Sequence, residues 1–144
     1  EKRYEEAVKQ YELAIQQDPE IAIVRQNKAT AYRLWGEELY NQDSPDTRAK
    51  LEEATRCFAT TVEKARKNAR KESPDTVEGY IAAALTGNGR VYEFLGGKIE
   101  AITCYKEALT HNPPPGMKTF AKKRLSALKP NWDLPDKLAD NHVF

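Results

Sequence analysis

The sequence predicts an all-α protein built from antiparallel helical hairpins that repeat along the chain. Residues 4–19 match residues 98–113 at a displacement of 94 positions, with Ala, Tyr, Ala and Pro recurring at the same places. Self-similarity of this kind is typical of repeat architectures. Apolar and small residues recur at helical spacing along most of the chain. No segment alternates apolar and polar residues long enough to indicate a strand.

Six helices follow from this spacing and from the residues that interrupt it. We predict them at 1–17, 21–40, 45–71, 74–95, 98–111 and 117–128. Gly96-Gly97 ends the fourth helix, because glycine commonly follows the last residue of a helix. The prolines at 113–115 end the fifth helix. The sixth helix is amphipathic, with Met117, Phe120 and Leu125 on one side.

The third and fourth helices are preceded by the same tetrapeptide. Ser44-Pro45-Asp46-Thr47 stands before the third helix, and Ser73-Pro74-Asp75-Thr76 stands before the fourth. Serine as N-cap, proline in the first helical position and aspartate in the first turn together mark a helix start. Residues 47–71 contain no Gly or Pro. The third helix is therefore predicted to be long and unbroken.

A small–aromatic–small spacing followed by proline identifies the family that the chain resembles. It occurs at Ala101, Tyr105, Ala108 and Pro113, and again 94 positions earlier. This pattern resembles the second helix of a tetratricopeptide (TPR) repeat. Gly89 and Tyr92 resemble the small residue and the tyrosine that the first helix of such a repeat carries. A small residue and a tyrosine at the same spacing in the second predicted helix of this chain fit the same pattern.

The resemblance implies a right-handed α-solenoid of about six helices. The implied division is a half repeat at 1–20, full repeats at 21–72 and 73–115, a closing helix at 116–129 and a tail at 130–144. The chain opens on Glu1, inside the first predicted helix. We therefore expect a fragment of a longer protein or a processed form, in which the first helix lacks its repeat partner.

The repeats are longer than those of the family. Ala7, Ala54 and Ala101 are spaced by 47 residues, whereas the TPR period is about 34. The excess, about 13 residues for each interval, corresponds to about two extra turns on each of two helices at about 3.6 residues per turn. One insertion falls inside the middle repeat and the other falls between the middle and last repeats. We expect both to lengthen helical hairpins.

Composition indicates an ordinary soluble protein and argues against two classes of partner. The formal net charge of the 144 residues is +1, with 31% charged and 40% hydrophobic residues. So small a net charge does not favour nucleic acid or an anionic membrane as a partner. The longest apolar run, at 80–85, is far too short to span a membrane, and no signal-peptide pattern opens the chain. No membrane insertion is expected.

The cysteines and histidines do not form a recognisable metal site. Cys57 and Cys104 each precede the aromatic residue of a repeat, and we interpret them as packing thiols. Free thiols agree with a reducing compartment, so a cytoplasmic location is expected. Glu107 and His111 lie four residues apart on one helix without a third ligand. A histidine near the helix C-terminus, interacting with the helix dipole, explains that pair better.

The glycine-rich stretches and the clusters of basic residues have structural explanations. Gly87-Asn88-Gly89 and Gly96-Gly97-Lys98 do not follow a strand and lack the spacing of a phosphate loop. Basic residues cluster at 64–71 and 118–129, where cations stabilise helix C-termini and mark solvated faces. No nucleophile, base and acid occur together. The sequence therefore predicts a protein that is not an enzyme and uses no cofactor or metal.

The TPR resemblance implies a protein that binds a protein or peptide partner. Members of that family line a concave groove with residues from the first helix of each repeat. By register, the partner-binding residues here are Ile23, Gln26, Asn27, Thr30, Arg33, Thr86, Arg90 and Glu93. Ala83, Gly87, Met117, Phe120 and Arg124 complete the same face.

One subset of the family clamps the C-terminal carboxylate of cytosolic chaperones with Lys, Asn and Arg. Asn27 occupies the place of one clamp residue, but Ala83 and Gly87 stand where Lys and Arg are required. A bound carboxylate needs those donors. The sequence argues against a chaperone clamp.

Two functions remain open at this point. The first is a TPR adaptor, or scaffold, whose groove binds a peptide segment of a partner. The second is a structural subunit or terminal domain of a larger, multi-subunit complex, docking through its long hairpins and its tail. Arg90 is the expected anchor of the first function. Trp132 and Phe144, two apolar residues of the tail, are the expected contacts of the second.

Overall fold

The described residues of the chain form six α-helices. A computed structural model of the chain describes residues 2–69 and 72–133. The helices are α1 (Lys2–Gln17), α2 (Ala22–Asn41), α3 (Thr47–Lys67), α4 (Pro74–Leu95), α5 (Lys98–Leu109) and α6 (Pro115–Leu128). No strand occurs in those residues. The prediction of an all-α protein with six helices is confirmed.

The start of α4 follows the sequence signal, but the start of α3 does not. The backbone N–H of Thr76 donates to the hydroxyl of Ser73, which is the N-cap of α4. Before α3, Ser44 Oγ accepts instead from the N–H of Asp46, only two residues ahead. The helix begins at Thr47 without a side-chain cap. The prediction that Ser44 caps α3 is wrong, because its hydroxyl closes a tight turn before the helix.

The third helix is unbroken, as predicted. It contains 21 residues and ends at Lys67, so it stops short of residue 71. The side-chain amide of Asn68, at its C-cap, donates to the backbone oxygen of Glu20 over 2.9 Å. This bond joins the end of α3 to the turn between α1 and α2.

Helices that are consecutive in the chain pack against one another, and each even-numbered helix also contacts the next even-numbered helix. α2 contacts α4, and α4 contacts α6. In the described residues, no Cα atom of α3 lies within 8 Å of one in α1 or α5. We call the surface formed by α2, α4 and α6 the even-helix face.

The core is built by α3 and α4. Leu51, Ala54 and Phe58 of α3 are buried against Ala29 of α2 and Ala84 of α4. A second cluster lies between α5 and α6, and α4 packs against it through Tyr92. α4 is thus covered on several sides, which leaves it few exposed positions.

Glycine permits the closest approaches of α4 to its neighbours. A Cβ atom on Gly89 would lie 2.7 Å from the ring of Tyr105, so α4 and α5 approach each other closely at this position. A Cβ atom on Gly87 would lie 2.5 Å from the ring of Phe58 on α3. Gly87 therefore faces α3. Its predicted place on the binding face is wrong.

Candidate functional site

The structure distributes the predicted partner-binding residues over two open surfaces and the interior. Arg90 and Glu93 line a pocket on the even-helix face. Asn27 and Thr30 line a separate cleft between α1 and α2. Arg33, like Thr86, is buried. The predicted set is therefore not one continuous surface.

The first surface, which we call the Arg90 pocket, is formed by α2, α4 and α6. It encloses about 250 Å³ and is lined by Glu37, Arg90, Glu93, Phe94, Phe120 and Arg124. The guanidinium carbon of Arg90 lies 5.1 Å from the centroid of the Phe120 ring, within the range of a cation–π contact. Tyr40 packs edge-on against Phe94 with ring centroids 5.1 Å apart. The pocket thus combines aromatic walls with two arginines.

An ion pair lies beside this pocket. Arg33 and Glu37, one turn apart on α2, bind each other through a guanidinium–carboxylate contact. Only 9% of Arg33 is exposed, and burial lowers the pKa of its guanidinium, with Glu37 opposing that change. The prediction that Arg33 lines an open groove is wrong, because Glu37 and the packing of α2 enclose it.

Glu93 is also fully engaged. Its carboxylate accepts a 2.6 Å hydrogen bond from the hydroxyl of Tyr105 and binds both Nε and Nη2 of Arg124. Burial raises the pKa of Glu93, but the bonds from Arg124 and Tyr105 outweigh it, so the net pKa is below the ordinary glutamate value. Glu93 therefore organises the pocket and offers little free capacity to a ligand.

Arg90 is the cation of the pocket with most to offer a ligand. Its nearest carboxylate oxygen belongs to Glu37, at 3.7 Å, and 38% of its side chain is exposed. Glu37 is already bound by Arg33, and Glu93 is bound by Arg124. The three arginines exceed the two glutamates by one charge. The pocket is accordingly suited to an incoming carboxylate.

The remaining predicted residues vary in exposure. The hydroxyl of Thr86 donates to the backbone oxygen of Ala82 over 2.7 Å and is buried, so its predicted place on an open face is wrong. Ile23 is 42% exposed. Gln26 is partly buried, and its Oε1 has no hydrogen-bond partner among the described residues. These residues do not join either surface.

The second surface, which we call the α1–α2 cleft, lies at the start of the fold. It encloses about 270 Å³, and its walls are Tyr4, Ala7 and Tyr11 of α1 with Asn27, Ala31 and Leu34 of α2. Arg3 stands at its edge, with its guanidinium carbon 4.8 Å from the centroid of the Tyr4 ring. Apolar and small side chains dominate this cleft.

Sequence reasoning missed Glu37 and Phe94 in the Arg90 pocket. Glu37 lies four residues after Arg33, and this spacing of opposite charges is a recognised signal for a helical ion pair. Phe94 directly follows Glu93, and its ring contact with Tyr40 crosses between α4 and α2. No local pattern announces that contact, because the two residues are far apart in sequence.

The described cysteines and the described histidine all make contacts within the fold. Cys57 and Cys104 are free and buried, and burial raises the pKa of each thiol to about 11. His111 contacts Glu78 at 2.9 Å, while Glu107 binds Arg66. Within residues 2–69 and 72–133, no three His, Cys, Asp or Glu side chains are grouped to hold a metal ion. In the same ranges, none of the helices has the length and apolar character needed to cross a membrane.

Comparison with known proteins returns no relative. The chain matches no protein-family model, no curated protein and no solved structure.

Proposed function

We propose that this chain is a protein-interaction scaffold of the TPR type that binds a peptide segment of a partner on the even-helix face. The Arg90 pocket receives an acidic side chain of that peptide. The observation that carries the proposal is the open, loosely paired guanidinium of Arg90 above the ring of Phe120. Arginine is well suited to such a role, since it combines bidentate hydrogen bonding with stacking on aromatic rings.

The packing of the helices supports the solenoid part of this proposal. α2 meets α4 and α4 meets α6, whereas α3 approaches neither α1 nor α5 within 8 Å between Cα atoms of the described residues. A stack of hairpins with one helix of each on the inside of a curve produces this asymmetry. The inside of the curve is then the even-helix face, which is where repeat scaffolds hold extended ligands.

The lining of the Arg90 pocket favours a peptide in which an acidic residue stands beside an apolar one. Phe94 and Phe120 offer apolar and aromatic surface, while Arg90 and Arg124 stand among them. A hydrogen bond to a charged group contributes about 1.5–3 kcal/mol. Anchors of this kind, an arginine set among aromatic residues, are frequent in the energetically important centres of protein interfaces.

Selection from a random peptide library on the folded chain tests this function. We expect selected peptides to carry Asp or Glu next to an apolar residue. Titration by fluorescence anisotropy should show that Arg90→Ala weakens binding by about 1–3 kcal/mol while the melting temperature changes little. Arg48→Ala, on the exposed side of α3, is the matched control and should leave binding unchanged. Equal affinity of wild type and Arg90→Ala would show that the pocket is not the binding site.

The alternative, docking of a structural subunit through the tail, receives less support. Trp132 packs against the α5–α6 cluster, and its indole N–H donates to the hydroxyl of Ser126 over 3.2 Å. These contacts hold Trp132 against the helices of its own chain. Phe144 and the other apolar tail residues at 134, 138 and 143 lie outside the described residues.

A further inference from the structure

We propose that a small pocket between α2 and α3 binds a phosphate group, either as the free ion or as the phosphate of a modified side chain. We call it the Arg25 pocket. Its lining consists of Arg25 and Lys28 of α2 with Glu53, Arg56, Cys57 and Thr60 of α3. It shares no residue with the Arg90 pocket, so this inference goes beyond the proposed function.

The Arg25 pocket is bounded on all sides by one continuous part of the chain. α2 and α3 pack against each other and form its walls. The turn between α1 and α2 contributes Pro19, and α1 contributes Glu12, which faces Lys28. Every residue that forms or borders the pocket therefore lies within 12–60, which the structure describes without a gap.

The backbone holds Arg25 in place. Its Nε and Nη2 atoms both donate to the carbonyl oxygen of Pro19, over 3.0 and 2.8 Å. Among the described residues, no carboxylate forms an ion pair with Arg25. A guanidinium carries more N–H donors than these two bonds use. Arg25 thus offers a fixed position, an uncompensated charge and further donors to a ligand.

Lys28 supplies a second cation whose donors are not used. Only 20% of its side chain is exposed, and its Nζ lies 3.7 Å from a carboxylate oxygen of Glu12, which is beyond hydrogen-bond distance. Within the described part of the chain, no other acceptor binds this ammonium. A largely buried ammonium without a hydrogen-bonded partner is unfavourable, and an anion beside it removes that cost.

The third cation, Arg56, is already paired with a carboxylate. Its Nε and Nη2 atoms bind one oxygen of Glu53, and the thiol of Cys57 donates to the other oxygen over 3.9 Å. Glu53 is therefore neutralised, while Nη1 of Arg56 remains available. Even when Glu12 is counted with Glu53, the three cations exceed the carboxylates by one charge. The pocket accordingly attracts an anion.

The electrostatics of Cys57 show that the three cations converge. Burial raises the pKa of the Cys57 thiol to about 11, and Lys28, Arg56 and Arg25 each oppose that increase. The charges of both helices therefore act at one place. The thiol stays neutral and forms part of the wall.

Size and donor number favour phosphate over other anions. Sites for whole small molecules enclose about 300–1,000 Å³, so a pocket of about 130 Å³ accommodates a single group. A carboxylate is planar, and one arginine can bind both of its oxygens. A phosphate group has about three strong acceptor oxygens and a charge of about −1.5 to −2 at neutral pH. It can therefore bind the guanidinium of Arg25 and the ammonium of Lys28 together.

NMR titration of the full chain with sodium phosphate, at constant ionic strength, tests the proposal. We expect saturable shifts of the side-chain Nε–H signals of Arg25 and Arg56. Lys28→Met removes the charge while keeping a long side chain, and it should weaken phosphate binding at least about tenfold. The matched control, Arg48→Met, removes a charge from an exposed position of α3 and should change the affinity less than about twofold.

A variant with the opposite effect keeps the test decisive if Lys28→Met disturbs folding. Glu53→Gln removes the carboxylate of the pocket and releases Arg56, so the affinity for phosphate should rise at least about threefold. A gain in affinity cannot result from a loss of folding. Glu52→Gln, at an exposed position outside the pocket, is the control and should leave the affinity unchanged.

Peptides identify the source of the phosphate group. A phosphoserine peptide that binds more tightly than inorganic phosphate shows that the pocket takes a modified side chain. A phosphoserine peptide that binds more weakly shows that it takes the free ion. In either case the same peptide without phosphate should not shift the Arg25 signal.

Three results would overturn the proposal. The first is a change in the Arg25 and Arg56 signals that does not saturate with phosphate. The second is an equal effect of sodium acetate at the same concentration, which would mean that the pocket does not distinguish phosphate from a carboxylate. The third is an equal loss of affinity in Lys28→Met and Arg48→Met, which would indicate a general attraction of anions to the surface.

Discussion

The hydroxyl of Tyr105 on α5 donates a 2.6 Å hydrogen bond to the carboxylate of Glu93 on α4. The same carboxylate binds Arg124 on α6, so one acidic side chain joins three helices. Burial raises the pKa of Tyr105, and acceptance by Glu93 raises it further, so the phenol stays protonated as the donor. The α5–α6 pair and the even-helix face therefore share a single polar centre.

This centre predicts a dependence of stability on pH. The pKa of Glu93 is lowered in the folded chain, in spite of burial, by Arg124 and Tyr105. Its contribution is therefore complete above the ordinary glutamate pKa of about 4.3 and is lost as the pH falls through the lower folded value. Glu93→Gln should cost about 2 kcal/mol at neutral pH, as for a charged hydrogen bond, and progressively less below about pH 4.

Urea unfolding of wild type and Glu93→Gln from pH 7 to pH 3 measures this difference. Glu100→Gln, at an exposed position of α5, is the control and should follow the wild-type profile. A difference between wild type and Glu93→Gln that stays constant with pH would contradict the assigned role of the carboxylate.

Two glycines should respond differently to the same substitution. Gly89→Leu inserts a side chain where a Cβ atom already lies 2.7 Å from the ring of Tyr105, so we expect a loss of about 3 kcal/mol or more. Gly97 has a φ of −88°, and a Cβ atom there would meet neighbours only at 3.3 Å. Gly97→Leu should cost about 1 kcal/mol or less. Coincident urea midpoints for the two variants would refute the close approach of α4 and α5.

The two arginines near Glu37 should differ in their effect on stability. Arg33→Met removes the buried ion-pair partner of Glu37. The carboxylate of Glu37 then has only Arg90, at 3.7 Å, so we expect the free energy of unfolding to fall by about 3 kcal/mol. Arg90→Met removes a side chain that is 38% exposed and should cost about 1 kcal/mol or less. Thermal and urea unfolding measure both. The reverse order would mean that Arg90 has a structural role and is not available to a ligand.

The cysteines should be unreactive in the folded chain. Burial raises the pKa of Cys57 and of Cys104 to about 11, against about 8.5 for a free thiol. At pH 8 the thiolate fraction is then about one in a thousand, compared with about a quarter in the unfolded chain. Alkylation by iodoacetamide should therefore be at least about a hundredfold slower in buffer than in urea. Fast alkylation of either cysteine in buffer would show that its surroundings open.

Much of the secondary structure could be read from short stretches of sequence. Ser73 and Pro74 start α4, Gly96 ends it with a φ of +80°, and the absence of Gly and Pro between 47 and 67 leaves α3 unbroken. Caps, breakers and helical spacing act within a few residues of one another, so their effects are visible without a tertiary structure. The close approach at Gly89 was predictable too, because a repeated small residue marks a place where helices meet.

Only the tertiary structure decided which polar residues are open to a partner. Helical spacing puts Thr86, Arg90 and Glu93 near one another on α4. Thr86 is buried, and the carboxylate of Glu93 is bound by side chains of α5 and α6. Of these three residues, only Arg90 keeps a polar group that a ligand can reach. Spacing determines which residues share a face of a helix. It does not determine which other helix covers that face, since this depends on contacts between distant parts of the chain. For the same reason, Ala7 and Ala101 hold the same place in the repeat, yet one lines an open cleft and the other is buried under α4.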